Sequence, residues 1–349
     1  MASSILAWLR SRVPVDEEVL RHISAEPVSG HLKRWWWCLG GTPLYLFILQ
    51  LLTGIILTFY YVPEPDHAYQ SVATITNEIP FGWYLRSFHK WAANLMIVAV
   101  VLHMMRVYFT GAYRNPREVN WVVGCCLLGI TLVFGFTGYS LIWEQLSFWG
   151  ITVAGKILEA TPFIGDMLAN FMRGGTEVGA NTLTRFFVFH IGVLPTLMIS
   201  LIIVHVYLIR TLGVSKLDGG RPEDQKTFPF FPDHFLTELT LGAFLMFLVT
   251  CLALIFPVSM GEQANPLVTP DHIKPEWYFF WAFRWLKLMS DTSAVVTQGI
   301  FIAFVCTWPF IDNVIRRRWK DSEIAVFVGG FVVIYLLVLT IWEALYLMH

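Results

Sequence analysis

Seven long apolar stretches constrain the fold of this 349-residue chain more than any other feature. They cover about residues 36–61, 88–110, 121–143, 186–210, 236–257, 295–312 and 324–346. Each is close to the ~20 residues that a helix needs to cross a bilayer. Because lipid offers no hydrogen bonds to the backbone, such stretches are expected to be helical. The sequence therefore predicts an all-α membrane protein with seven transmembrane helices.

The composition agrees with a polytopic membrane protein. Only 14% of the residues are charged, against about 25% in soluble domains, and a net charge of −1 argues against a nucleic-acid partner. Four of the five cysteines lie inside the apolar stretches, so no disulfide framework is predicted. Residues 1–30 mix apolar residues with arginines and lack a signal peptide's apolar core. They predict an amphipathic helix on the membrane surface.

The loops between the stretches alternate in charge. The N-terminal segment and the loops near 106–120, 208–235 and 312–323 hold 16 of the 24 lysines and arginines. The positive-inside rule therefore predicts a cytoplasmic N-terminus and an external C-terminus. The loops 144–185 and 258–294 then face outward, and their apolar, aromatic segments predict short helices against the membrane surface.

Four of the ten histidines lie within the stretches: His89 and His103 in the second, His190 and His205 in the fourth. Their separations are 14 and 15 residues, which at ~100° per residue leave about −40° and +60°, so each pair keeps roughly to one helix face. At ~1.5 Å per residue, the members of each pair lie about 21–22 Å apart along the helix.

If the second and fourth helices are neighbours, these histidines form two facing pairs, His89 with His190 on the outer side and His103 with His205 on the inner side. Two bis-histidine haems stacked across the membrane fit this arrangement. Three alternatives are core histidines that bond the backbone, proton relays of a secondary transporter, and the membrane cytochrome b anchor of a dehydrogenase.

Two glycine pairs repeat the histidine spacing. Gly40 and Gly54 in the first stretch, and Gly124 and Gly138 in the third, are each 14 residues apart. Glycine lets a flat macrocycle approach the backbone closely. Glycine is also common where membrane helices pack, so the match to the histidine step is what favours haem.

The outward loop at 258–294 contains the sequence PEWY, which is Pro275, Glu276, Trp277 and Tyr278. Aromatic surroundings favour the neutral form of a carboxyl group, which suits Glu276 to proton transfer. The alternative is a loop carboxylate beside interfacial aromatic residues.

Together with TGYSLIWEQ at 137–145, these motifs resemble the cytochrome b/b6 family, the membrane core of quinol-oxidising cytochrome bc complexes. The resemblance covers about residues 30–346. The 15-residue histidine step and CLGG at 38–41 are similar to the b6-type branch. In contrast to the photosynthetic members of that branch, this chain joins both parts in one polypeptide. It also has Ile142 where the family has proline and Glu144 where the b6 branch has aspartate.

The resemblance implies three cofactors. The histidine pairs would bind two b-type haems, and Cys38 would attach a third haem covalently through one thioether. Arg210 matches a family arginine that pairs with a haem propionate. Arg86 and Arg117 are further predicted propionate partners, as is Lys90, although arginines and lysines at a membrane edge also extend towards water without such a role.

The resemblance also implies the reaction and the partners. Quinol would bind at the outer face between Glu276 and the segment around Gly138 and Tyr139, with Glu276 as proton acceptor and Tyr278 shaping the pocket. Electrons would pass to a separate Rieske iron–sulfur protein and on to a c-type cytochrome subunit or a plastocyanin-like acceptor, and across the membrane to quinone at the inner face. A homodimeric complex in a bacterial cytoplasmic membrane is expected.

The predicted domain organisation has three parts. Residues 1–30 form the surface segment, 31–215 the four-helix di-haem domain, and 216–349 the three-helix domain with the quinol-site loop.

Overall fold

The computed structural model describes residues 8, 12, 27–29, 39–213, 215, 226–320 and 322–346. Within them, seven helices are long and apolar enough to cross a membrane. These spans are Gly41–Thr58, Gly82–Phe109, Glu118–Ser140, Ala180–Leu212, Phe231–Ile255, Asp291–Arg318 and Ile324–Tyr346. The predicted seven-helix fold is confirmed. Most of the predicted surface helix in residues 1–30, and Cys38, lie outside the described residues.

In chain order the described elements are β1 (Pro27–Ser29), α1 (Gly41–Thr58), α2 (Ala68–Asn77), α3 (Gly82–Phe109), α4 (Glu118–Ser140), α5 (Gln145–Glu159), α6 (Gly165–Arg173), α7 (Ala180–Val188), α8 (Leu194–Leu212), β2 (Thr227–Pro229), α9 (Phe235–Ile255), α10 (Phe280–Leu286), α11 (Asp291–Arg318) and α12 (Ile324–Tyr346). A π-turn, Phe189–Val193, joins α7 to α8 in the fourth span. Strands β1 and β2 pair antiparallel. We call the side of the bundle that holds residues 258–294 the outer side and the opposite side the inner side.

Several spans are longer than the apolar stretches predict. The second span begins at Gly82 instead of residue 88, and the sixth runs to Arg318 instead of residue 312. The extra turns carry polar and charged residues, which hydropathy excludes. Three arginines in the last turn of α11 favour its helical continuation because cations stabilise the C-terminal end of a helix dipole.

The first, second, fourth and fifth spans share one packed core. Its buried members include Leu46 of α1, Ala92 and Met96 of α3, Met198 of α8 and Val249 of α9. Small side chains such as Ala92 let neighbouring helices approach closely, and close packing is what associates helices in lipid. This core holds the second and fourth spans together, which the histidine pairs require.

The C-terminal helices are fastened to the first four spans at both ends. On the inner side, the buried Asp312 of α11 accepts hydrogen bonds from the Tyr113 hydroxyl and from Arg114 Nε, both at 2.9 Å. On the outer side, the Gln145 backbone N–H donates to the Glu262 carbonyl at 2.8 Å. The helices α5, α6 and α10 occupy the outer loops in which short helices are predicted.

Candidate functional site

The second and fourth spans bring the four histidines together as two facing pairs. The ring centres of His89 and His190 lie 6.5 Å apart, with 67° between the ring planes. Those of His103 and His205 are also 6.5 Å apart, at 78°. The equal spacing at two depths makes the two pairs geometric equivalents.

The π-turn in the fourth span explains how a 15-residue step matches a 14-residue step. His190 lies in the π-turn Phe189–Val193. A π-turn takes in one more residue than an α-helical turn, because its hydrogen bonds run from i to i+5. The extra residue between His190 and His205 is absorbed there. The ideal-helix value of +60° is therefore wrong for this span, and both histidines of α7–α8 face α3.

Each glycine of the two spaced pairs faces one histidine. A Cβ atom added at Gly54 would lie 3.4 Å from His89 Cε1, and one at Gly138 would lie 2.7 Å from His190 Cε1. On the inner side, a Cβ at Gly40 would lie 3.5 Å from His103 Cε1 and one at Gly124 would lie 3.8 Å from His205 Cε1. The first and third spans therefore flank the histidines with backbone that has no side chain in the way.

The outer histidine rings are oriented by threonines. Thr53 Oγ1 lies 2.8 Å from His89 Nδ1, and Thr137 Oγ1 lies 3.0 Å from His190 Nδ1. With Nδ1 engaged, Nε2 is the nitrogen left to bind a metal, and such outer hydrogen bonds fix the orientation of histidine ligands. Each threonine directly precedes the glycine that faces the same ring, so the dipeptide Thr-Gly occurs once in each flanking span.

The inner pair has different surroundings. Within the described part of the chain, the buried Nδ1 atom of His103 has no hydrogen-bond partner, and no side-chain hydroxyl holds the Nδ1 atom of His205. Both histidines line a cavity of about 270 Å³ on the inner side. Its wall also includes Gly40 and several ionisable side chains, among them those of Arg106, Arg117, His234 and Glu238.

The dimensions of both pairs fit a bis-histidine metal. A metal ion binds a histidine nitrogen at about 2 Å, so two bonds on opposite sides of one ion take up about 4 Å of the 6.5 Å. The remainder corresponds to the distance from each ring centre to its nitrogen. The glycine faces leave space beside the rings for a flat macrocycle.

The outer loop places Glu276 against the second span. Lys90 Nζ, one residue past His89, lies 2.6 Å from Glu276 Oε1. Lys90 Nζ also lies 5.3 Å from the centre of the Tyr139 ring. The structure therefore pairs Lys90 with the Glu276 carboxylate, and the role of Lys90 towards a haem propionate stays a prediction.

The rest of PEWY packs between the second and third spans. Trp277 Nε1 donates to Asn94 Oδ1 at 2.7 Å, and Pro275 is half-buried in the extended segment before the 3₁₀ turn Trp277–Phe279. Tyr278 is buried against Gly135, where an added Cβ would lie 2.5 Å from its hydroxyl. Burial, with a smaller contribution from Glu276, raises the pKa of the Tyr278 hydroxyl well above its usual value, so the hydroxyl stays protonated.

The predicted propionate partners lie at different places. Arg86 is buried, and its guanidinium donates to the carbonyls of Val258 and Ser259 at 2.9 and 3.1 Å. Arg117 lines the inner cavity and donates from Nε to the Gly213 carbonyl at 3.0 Å. Arg210 is exposed in the last turn of α8, five residues past His205. Their roles towards a haem stay predictions.

Glu144 is fixed at the corner between α4 and α5. Its Oε2 accepts the backbone N–H of Gly261 at 2.9 Å, and its own backbone N–H donates to Ser147 Oγ in the first turn of α5 at 3.0 Å. Glu144 thus ties the loop that leads to PEWY to the end of the third span.

The sequence reading missed several residues of this arrangement. Thr53 and Thr137 could have been found from the repeated Thr-Gly dipeptide in the two flanking spans. Gly135 lies three residues before Gly138 on the same side of the helix, and the two glycines face Tyr278 and His190 respectively. The pairing of Lys90 with Glu276 had no local signal, because the two residues are 186 positions apart.

Comparisons with known proteins settle the family. Residues 23–213 match the family model described as cytochrome b/b6/petB, and residues 263–347 match that described as cytochrome b (C-terminal)/b6/petD. The chain is 36% identical over 344 residues to a cytochrome bc complex cytochrome b subunit of Chlorobaculum thiosulfatiphilum, covering 97% of this chain and 80% of the relative. The chain belongs to the cytochrome b/b6 family.

Two further matches place this cytochrome b within the family. Cytochrome b6 of Heliobacterium modesticaldum is 45% identical over 208 residues, which is 60% of this chain and 98% of the relative. A solved chain of a hyperthermophilic respiratory Complex III superposes with a TM-score of 0.84 at 28% identity, covering 97% of this chain and 91% of the other. This cytochrome b is a multi-pass membrane subunit of a bc-type complex in which the b6-like and C-terminal parts form one polypeptide.

Proposed function

We propose that this cytochrome b oxidises quinol at its outer side and transfers electrons across the membrane to quinone at its inner side, as a subunit of a quinol–cytochrome c reductase. The observation that carries the proposal is the pair of equivalent histidine arrangements, each with ring centres 6.5 Å apart. A histidine relay in a transporter would not need two such pairs, each flanked by spaced glycines.

His89 and His190 would hold the outer b-type haem, and His103 and His205 the inner one. Cys38, two residues before Gly40 at the cavity wall, would attach a third haem covalently. When bound, these haems would supply one-electron carriers at two depths of the membrane. Arg117, on the cavity wall, would meet an acidic substituent there.

At the outer side the chain provides a proton acceptor and a shaped wall. Glu276 would accept a proton from the quinol hydroxyl, because its side chain is largely buried and positioned by Lys90 at 2.6 Å. The cation also lies over the Tyr139 ring, so a movement of the carboxylate towards quinol would leave Lys90 on that ring. Tyr278, neutral and buried, would form the opposite wall.

The direction of transfer couples oxidation to the membrane potential. Moving one charge across the membrane corresponds to ~2.3 kcal/mol per 100 mV. With the N-terminus in the cytoplasm and the C-terminus outside, protons leave at Glu276 on the outer side while electrons move to the inner pair. Both movements separate charge in the same sense, in the cytoplasmic membrane of a bacterium.

Partners follow from the same proposal. The first electron from quinol would go to a separate Rieske iron–sulfur protein and then to a c-type cytochrome subunit. In the described residues, no group of three or more histidine, cysteine, aspartate or glutamate side chains is placed to hold a metal ion. Two copies of the complex would assemble as a homodimer.

Haem extraction tests the proposal. Acidified acetone removes haem that is not covalently bound, and a haem stain of the residual chain on a denaturing gel reports covalent haem. We expect two extractable b-type haems per chain and a stained band that disappears in Cys38→Ser. An unstained parent chain would overturn the covalent haem alone. An extract without haem, from a preparation that retains its cofactors, would overturn the electron-transfer proposal.

A further inference from the structure

The short helix α6 in the outer loop exposes a strongly apolar surface. Phe163, two residues before the helix, is fully exposed, and Met167 and Phe171 are 63% and 61% exposed. Ile164 extends the same surface. We call these four residues the outer strip. They stay exposed in the described part of the chain even though the Arg185 guanidinium carbon lies 5.7 Å from the centre of the Phe171 ring. Water is an unfavourable environment for so many adjacent large apolar side chains.

The other two faces of α6 differ sharply from the outer strip. Gly165, Ala169 and Arg173, at four-residue spacing, are buried against the protein. Asp166 and Asn170, also four residues apart, are exposed and polar. The exposed surface of α6 is thus divided lengthwise into an apolar and a polar half, which is the pattern of a helix at the boundary between lipid and water.

The orientation of the helix is fixed. Arg173 on the buried face bonds Glu159 of α5 at 2.6 Å and the Thr176 carbonyl at 3.0 Å. Phe163 has a φ of 67°, an unfavourable conformation for a residue with a side chain. Phe81, at the outer start of the second span, combines a φ of 61° with 76% exposure. Two outer turns therefore hold a phenylalanine outward despite the local backbone cost.

The outer strip continues onto an exposed face of the fourth span, as far as the described residues show. The Phe171 ring lies 6.0 Å from the ring of Phe189 in the π-turn. Val188 and Ile191, on either side of Phe189, are exposed. In a membrane-spanning helix this exposed apolar face meets lipid, so the outer strip and the lipid-facing surface form one continuous patch.

We propose that the outer strip is inserted into the outer leaflet of the membrane, in contact with phospholipid acyl chains. The polar half, with Asp166 and Asn170, then faces water. The helix α6 is thereby an anchor that sets the depth of the outer loop, and with it the height of the quinol site, relative to the bilayer. A neighbouring subunit is the other candidate for covering the strip, but it would not require the polar half to border the apolar half along the whole helix.

Two matched cysteine variants test the proposal on the purified complex in phospholipid nanodiscs. Met167→Cys lies in the outer strip and Asn170→Cys lies one turn away in the polar half. We expect a water-soluble maleimide to modify Asn170→Cys severalfold faster than Met167→Cys, with modification measured by mass spectrometry on the peptide that holds each position. The unsubstituted complex gives the background of the native cysteines.

Lipid contact is then measured on the native chain. A phospholipid with a photoactivatable diazirine in its acyl chain is included in the nanodisc, and adducts are located by mass spectrometry. Adducts on Phe163, Met167 or Phe171, and none on Asp166 or Asn170, are expected. Equal maleimide rates would place the strip in water and overturn the proposal. Slow modification of Met167→Cys without lipid adducts would show that a protein subunit covers the strip. If the cysteine variants fail to assemble, the adducts on the native chain decide alone.

Discussion

The outer and inner histidine pairs share one spacing but differ in what surrounds them. At the outer pair, threonine hydroxyls hold both Nδ1 atoms and Gly138 lies so close to His190 that a Cβ atom would clash. At the inner pair, no such hydrogen bond exists in the described part of the chain, and a cavity of about 270 Å³ adjoins both rings. The outer end fixes its ligands, whereas the inner end leaves space beside them.

This difference concerns how each end would hold its haem. Ligands with fixed orientation define one environment for an electron carrier. The cavity beside the inner pair is lined by both histidines and by Gly40 and Gly124, so it is the space that the inner haem itself would occupy. Substitutions at the two ends should therefore have separate effects on haem content, on the rate of quinol oxidation and on the orientation of the histidine rings.

The largest expected effect is the loss of one ligand. His89→Leu should remove the outer b-type haem and leave the inner one, and His103→Leu should do the reverse, because leucine cannot bind iron. Either change should halve the extractable haem per chain and abolish electron transfer across the membrane. Reduced-minus-oxidised spectra and haem-to-protein ratios measure this. His67→Leu, an exposed histidine outside the spans, is the control. Loss of both haems from each single variant would contradict the assignment of separate pairs.

The next largest effect concerns proton transfer at the outer side. Glu276→Gln keeps the shape of the side chain but removes the proton acceptor, so the rate of quinol oxidation should fall by about 100-fold. Haem content should not change. Glu262→Gln alters an exposed carboxylate in the same loop and serves as the matched control. A normal rate in Glu276→Gln would exclude this carboxylate as the acceptor.

Alanine substitutions at Gly138 and Gly124, the equivalent glycines of the third span, should show directly whether the outer end is packed more tightly than the inner end. In Gly138→Ala the new Cβ would lie 2.7 Å from His190 Cε1, which is closer than contacts normally allow, so the ring must shift. In Gly124→Ala the distance to His205 Cε1 is 3.8 Å, an ordinary van der Waals contact. We expect Gly138→Ala to lose or perturb the outer haem spectrum and Gly124→Ala to retain both haems. Equal effects of the two changes would show that the outer end is no tighter than the inner end.

Removal of one threonine hydroxyl should have a smaller effect. Thr137→Val keeps the shape of the residue and removes the hydrogen bond at His190 Nδ1. Loss of such an outer hydrogen bond typically weakens metal binding about 10- to 100-fold, so the outer haem should be retained less well during purification and its midpoint potential should shift. Thr131→Val, on the same span, is the control because its hydroxyl donates to the Leu127 carbonyl of its own helix. A shift of the inner haem instead would contradict the proposed pairing.

Sequence patterns predicted the features that depend on local periodicity. The seven spans follow from apolar length, and the two histidine pairs follow from steps of 14 and 15 residues read on an ideal helix. The ideal helix failed at His190, because a π-turn is set by the packing around it and leaves no periodic signal. The ion pair between Lys90 and Glu276 could not be predicted either. It forms only because the loop between the fifth and sixth spans folds back onto the second span.

The smallest expected effect concerns the pH dependence of the rate, and it is the same for the outer and the inner end. Burial raises the pKa of Tyr278 at the outer site, and burial raises the pKa of Tyr113, on the wall of the inner cavity, to about 12. Burial favours the protonated phenol, which is what the raised pKa expresses. Neither hydroxyl therefore loses its proton until the pH rises past the usual tyrosine pKa of about 10.

Tyr278→Phe and Tyr113→Phe should therefore leave the shape of the pH–rate profile unchanged between about pH 6 and 9. The profile of quinol oxidation, measured in steady state for each variant, checks this. An inflection that disappears in Tyr278→Phe would mean that the tyrosine exchanges protons during turnover, and Glu276 would then not act alone. Tyr84→Phe removes a phenol whose hydroxyl bonds Thr250 of the fifth span at 3.0 Å and which belongs to neither proposed site, so it serves as the control.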